Sequence, residues 1–93
     1  MATYDSAEIR RAARTIRNSR DRLNSTVVTG LRRVESELDG EFRGQAAEAL
    51  ADRLANMDAD ARRIEEKLDN LYNTLMKFAQ RMDEIDQELA SLM

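Results

Sequence analysis

Residues 50–92 read LADRLANMDADARRIEEKLDNLYNTLMKFAQRMDEIDQELASL. Apolar side chains fall at Leu50, Leu54, Met57, Ala61, Ile64, Leu68, Leu71, Leu75, Phe78, Met82, Ile85, Leu89 and Leu92, in unbroken steps of four and three. A mean spacing of 3.5 residues is the period of an α-helix that supercoils left-handedly around a partner helix. The stretch therefore predicts one long helix with a core-facing stripe, and the rest of the chain is read by asking what covers that stripe.

Working back toward the N-terminus, Asp39-Gly40-Glu41-Phe42-Arg43-Gly44 interrupts the pattern with two glycines, the usual residues just past a helix end. Before it lies a second stripe: Ile9, Ala13, Ile16, Arg20, Leu23, Val27, Leu31, Val34 and Leu38 share one helical face, with Arg20 its polar member. Asp5 is placed to cap this helix, with Glu8 as reciprocal partner and Tyr4 and Ile9 at the positions of a hydrophobic staple. The β-branched residues and glycine of Thr26–Gly30 weaken it locally and predict a bend or a close helix approach.

Two helices joined by a short turn make an antiparallel hairpin. The expected architecture is a single all-α domain over residues 1–93, with helix 1 at about 6–38, the turn at 39–44 and helix 2 at about 45–92. Pairing residues whose numbers sum to 84 matches stripe to stripe, Ile9 with Leu75, Ile16 with Leu68, Arg20 with Ile64 and Val27 with Met57. The expected hairpin core is Ile9, Ile16, Leu23, Val27, Val34, Leu50, Met57, Ile64, Leu68, Leu71 and Leu75. In this register residues beyond about 79 overhang helix 1. Flanking apolar residues, Val28, Ala47, Ala51, Ala55, Tyr72, Met76 and Ala79, are too many for one hairpin to cover, and exposed apolar patches mark interfaces. They predict a dimer of hairpins, an elongated four-helix bundle. Arg20 is expected to snorkel out of the stripe, or to pair with an acid on the other chain.

Composition narrows the function. The chain has 93 residues, no Pro, no Cys, no His and three Gly, with 42% hydrophobic and 35% charged residues. A domain of this size has a limited core, and with no disulfide or zinc ligands available association is the remaining source of stability. Lacking His and Cys, the chain has neither the commonest general base nor a thiol nucleophile, so catalysis is not expected. The acid pairs Asp58 with Asp60 and Asp83 with Asp86 read as solvated helix surface, since hard cations need about six converging oxygens. No catalytic residue, cofactor or metal site is expected. Residues 1–38 carry a net positive charge and residues 39–93 a net negative one, which suggests that the two segments lie side by side. Arg10, Arg11, Arg14 and Arg17 lie on one side of helix 1, yet a net charge of −3 and few aromatics argue against nucleic acid. No secretory signal is read at the N-terminus, and no run approaches the roughly 20 apolar residues of a membrane span.

The turn Phe42-Arg43-Gly44, followed by Gln45-Ala46-Ala47 near the middle of a chain of this length, resembles the WXG family, the early secretory antigen-like small proteins of type VII secretion. Phe42 stands where the family has Trp, and Gly44 keeps the glycine. Met82, Asp86, Leu89 and Met93 match the spacing of the family's C-terminal export pattern, with Met82 where other members have Tyr. The same residues also continue the heptad stripe. The resemblance implies a non-enzymatic protein exported folded, without a cleaved signal peptide, from the cytoplasm to the outside or the cell surface by a type VII secretion ATPase. It implies pairing with itself, with a paralogous hairpin or with the helical domain of a toxin. The Phe-for-Trp change leaves open a targeting partner for the helical N-terminus of an LXG-type toxin. On the heptads alone, a cytoplasmic coiled-coil adaptor remains a third reading.

Overall fold

The computed structural model describes residues 5–39 and 44–92, all of them helical apart from the residues that cap the helices. Helix α1 spans Ser6–Arg22, a π-helical turn spans Leu23–Val28, and α2 spans Thr29–Asp39. These three run on without a break as one arm. Helix α3, Gln45–Ser91, folds back as the other. At 1.5 Å per residue α3 is about 70 Å long, and the whole molecule measures 74 × 22 × 16 Å. Its radius of gyration is 20.9 Å, against about 12 Å for a compact domain of this length. The two arms form an antiparallel hairpin, as the stripes predict.

The N-terminal cap forms as expected. Asp5 Oδ1 accepts a hydrogen bond of 2.7 Å from the backbone N–H of Glu8, which satisfies one of the free donors of the first turn. Tyr4, the other half of the expected staple, lies outside the described residues, as do residues 40–43 and Met93. At the start of α3, Gly44 has φ +102° and ψ −172°, backbone territory that is essentially reserved for glycine.

The weak stretch of helix 1 resolves as the π turn, beginning three residues before the expected Thr26. Consecutive β-branched side chains at Thr26, Val27 and Val28 crowd the preceding turn, and widening that turn relieves them. The Thr29 backbone N–H bonds back to the Asn24 carbonyl oxygen, and the Thr29 hydroxyl donates to the same oxygen at 3.1 Å. The wide turn slips the helix phase by part of a residue. As a result Val28 is 2% exposed and Val27 is 40% exposed. The sequence reading had them reversed, with Val27 in the core and Val28 at an interface.

The register also differs from the expected one. Arg10 Nη2 meets Asp83 Oδ2 at 2.7 Å, and the Arg17 guanidinium lies 4.4 Å over the Tyr72 ring. Arg20 Nε donates to Asp69 Oδ1 at 3.2 Å, and Asn24 Nδ2 donates to Glu65 Oε1 at 3.0 Å. The last three have a residue-number sum of 89 and Arg10–Asp83 has 93, against the expected 84. Helix α3 is thus displaced by about five residues, roughly 7 Å along its axis.

Two physical causes act together. Ala13 and Ala79 are wholly buried and Ala61 nearly so, so small side chains let the arms approach closely. The rotation that brings these alanines inward also sets the acids of α3 against the arginines of α1. The opposite-sign segments do lie side by side, joined by the Arg10–Asp83, Arg20–Glu65 and Arg20–Asp69 pairs. Arg20, expected to snorkel out of the stripe or to pair with another chain, has its carboxylate partners on the same chain. The overlap reaches Asp83, so the overhang begins at residue 84 rather than 80.

A candidate helix association surface

Of the expected core, Ile9, Ile16, Leu23, Leu50, Leu68 and Leu75 are half-buried between the arms, while Val27, Val34, Met57, Ile64 and Leu71 are exposed. The exposed members of α3 belong to one row. Met57, Ile64, Leu71, Phe78, Ile85 and Leu92 stand seven residues apart, from 41% exposed at Ile85 to 61% at Phe78 and 83% at Leu92. Val27 and Val34, also seven apart, form a shorter row on the other arm. By helical phase the two rows face the same broad side of the hairpin. Among the described residues no large side chain is wholly buried. Most of the molecule's large apolar surface is therefore either shared thinly along the seam or turned outward on this side.

The expected interface residues divide. Ala51 and Ala55 are exposed and Ala47 half-buried, and all three line a cleft of about 600 Å³ between α2 and the start of α3, beside Arg32, Glu35 and Leu54. Tyr72 and Met76 instead lie half-buried on the α1 side of α3, and Val28 is buried in the seam from the other arm. The rotation of α3 is the reason: it carries the expected flank into the seam and the expected seam onto the surface.

What the sequence reading missed is the polar layer at the centre of the seam. Glu65 is 9% exposed. It accepts from Asn24 and pairs with Arg20 Nη2 at 3.5 Å, while Arg20 also reaches Asp69. A buried polar layer fixes register, because sliding the helices would leave its charges unpaired. Arg20 within an apolar stripe was the one visible signal of it. At the open end of the hairpin, the Ser6 hydroxyl and the Arg10 guanidinium hold the Asp83 carboxyl below its ordinary value of 3.8.

In the C-terminal pattern, Met82 is half-buried, Asp86 and Leu89 are exposed on the overhang, and Met93 lies outside the described residues. Of the turn triplet, Gly44 is described and Phe42 and Arg43 are not. Among the described residues no three His, Cys, Asp or Glu side chains converge on a metal site, and no helix is long and apolar enough to cross a membrane. The arrangement leaves an exposed apolar side and a projecting helical end.

No curated protein and no solved structure matches the chain. The family model for WXG100, proteins of 100 residues with WXG, matches residues 2–87. With nearly all of its length matched and the expected helical hairpin in place, this chain belongs to the WXG100 family.

Proposed function

We propose that this chain is a non-enzymatic secreted or secretion-targeting protein of a type VII system, acting through helix–helix association. The family is associated with type VII secretion substrates. The observation that carries the reading is the exposed heptad row on α3, which keeps the period of a helix-binding seam while facing away from its own hairpin. Covering it with a second hairpin, itself or another chain, yields an elongated four-helix bundle. Asp86 and Leu89 on the overhang, with Met82 and Met93, form the export pattern read by the secretion ATPase. Phe42, Arg43 and Gly44 of one subunit supply the other half of the signal beside the partner's C-terminal end. The two halves meet only in a folded pair, which makes assembly a condition of export.

Deleting residues 84–93 removes the overhang and leaves Asp83 with its Arg10 bridge. Export from the native organism is expected to stop while circular dichroism still reports the hairpin. Export that continues after this deletion, or that continues without the type VII ATPase, refutes the signal role. Pairing with the helical N-terminus of a toxin uses the same exposed row and is separated by which chain co-purifies.

A further inference from the structure

The row Met57–Phe78 is bordered by two very different edges. For a row residue i, positions i−3, i+1 and i+4 lie on one side and positions i−4, i−1 and i+3 on the other. The first side is occupied by the hairpin: it holds Leu54, Ala61, Glu65 and Leu68, and its Glu65 meets Arg20 of α1. The second side is open. Between residues 53 and 81 it carries Arg53, Arg63, Lys67, Lys77 and Arg81 against Asp60 alone.

Arg63 and Arg81 have neighbours on their own helix, Asp60 at 3.4 Å and Glu84 at 3.2 Å, and such exposed pairs hold little. Among the described residues no ion pair involves Arg53, Lys67 or Lys77. Around Phe78, Thr74, Lys77 and Arg81 line a shallow groove. Helix α3 thus turns Glu65, Asp69 and Asp83 toward its own α1 and carries mostly bases along the free edge of the apolar row between residues 53 and 81.

We infer that this row receives an amphipathic helix of a different chain whose bordering edge is acidic, and that a second copy of this chain is the poorer occupant. The inference rests on the reading of the row as an association surface and names the partner that surface fits. Two copies packed α3 against α3 in antiparallel fashion bring like edges together, Lys and Arg facing Lys and Arg across a seam that excludes water. Packed instead on a copy's Val27–Val34 row, the basic edge meets Arg33 and Glu37, which offers no run of acids. A partner with Glu or Asp at heptad spacing along that edge neutralises the bases and covers the row at once. Charge placed this way sets partner choice and encounter rate more than bulk affinity.

The test uses the protein and a charge-reversed copy of it, R53E/K67E/K77E, whose changed positions are all exposed. Sedimentation equilibrium is run on each alone and on the equimolar mixture, at about 50 mM and about 500 mM salt, which spans strong to weak screening. Circular dichroism checks that the variant is as helical as the parent. The mixture is expected to pair at least about tenfold more tightly than the parent with itself at low salt. Parent self-association should strengthen with salt as repulsion is screened, while the mixed pair should weaken. A parent homodimer as tight as the mixture at low salt, or one weakened by salt, overturns the inference while leaving the row as an interface. Absence of association in every arm removes the interface itself, and the proposed function with it.

Discussion

Glu65→Ala and Ile64→Ala are neighbouring substitutions for which the observed register and the heptad-matched register give opposite rankings. In the structure Glu65 is buried and accepts from Asn24 at 3.0 Å. A hydrogen bond to a charged group is worth about 1.5–3 kcal/mol. The Arg20 contact at 3.5 Å adds about 0.5 kcal/mol, because Arg20 is partly exposed and keeps Asp69. Alanine returns a few tenths in helix propensity, so Glu65→Ala should cost about 2 kcal/mol. Ile64 would cost about 2–5 kcal/mol if fully buried. It is 49% exposed, and with alanine's better propensity Ile64→Ala should cost about 1 kcal/mol or less in the monomer. Urea unfolding followed by far-UV circular dichroism reads both. With a slope of about 1.5 kcal/mol/M, the midpoint falls by about 1.3 M for the glutamate and about 0.7 M or less for the isoleucine. The comparison belongs at a concentration where sedimentation shows monomer, since dimerisation would bury Ile64. An isoleucine that costs the monomer as much as the glutamate would refute both the rotation of α3 and the role given to the polar layer.

The glycines should respond in opposite directions. Gly30 is helical with open space where a Cβ would stand, so Gly30→Ala should stabilise by about 0.5–1 kcal/mol. Gly44 has equal space but φ +102°, so Gly44→Ala should cost about 1–3 kcal/mol of backbone strain; thermal melts that move the same way for both would contradict this. Asp83 should give a pH signature. Its carboxyl titrates lower in the folded chain than its ordinary 3.8, so its stabilisation is present above that value and is lost as pH falls through the folded one. The stability gap between the parent and Asp83→Asn should hold at neutral pH and close on acidification, whereas a gap unchanged down to about pH 2 would show that the Ser6 and Arg10 contacts do not form in solution.

The hairpin was legible because its signal is long. Twelve turns of unbroken periodicity in α3, a stripe with one polar member before it and glycines between leave little else for the chain to do. Register was not legible, and the reasons are specific. An apolar stripe repeats, so sliding one helix by about a turn again sets stripe against stripe. The choice between such registers is made by small terms the pattern does not weight: how closely Ala13 and Ala79 let the arms approach, and whether Glu65, Asp69 and Asp83 reach an arginine. Arg20 stands out in its stripe, but nothing in the periodicity separates snorkelling or a partner on another chain from the acids of its own α3. Val27 and Val28 exchanged places because a π turn slips the phase, and β-branching signals crowding without saying whether the helix will bend or widen. Of the candidate site, the overhang and the excess of apolar surface were visible in advance. Which leucines and isoleucines make up that surface depended on the rotation.

Because the chain doubles back on itself, residues 5 and 92 lie at the same end of a 74 Å rod. Tension applied between those ends does not shear the two arms along their whole length. It opens them like a zipper, loading one rung at a time, first the Ser6–Arg10–Asp83 cluster, then Arg17 on Tyr72, then the Arg20–Asn24–Glu65 layer. The first two rungs are exposed or half-exposed contacts, so the force that opens them is small and the opening advances in steps. A motor that grips the projecting tail from outside would find the polar layer the first firm obstacle, and a partner lying across both arms would be what stiffens the rungs before it.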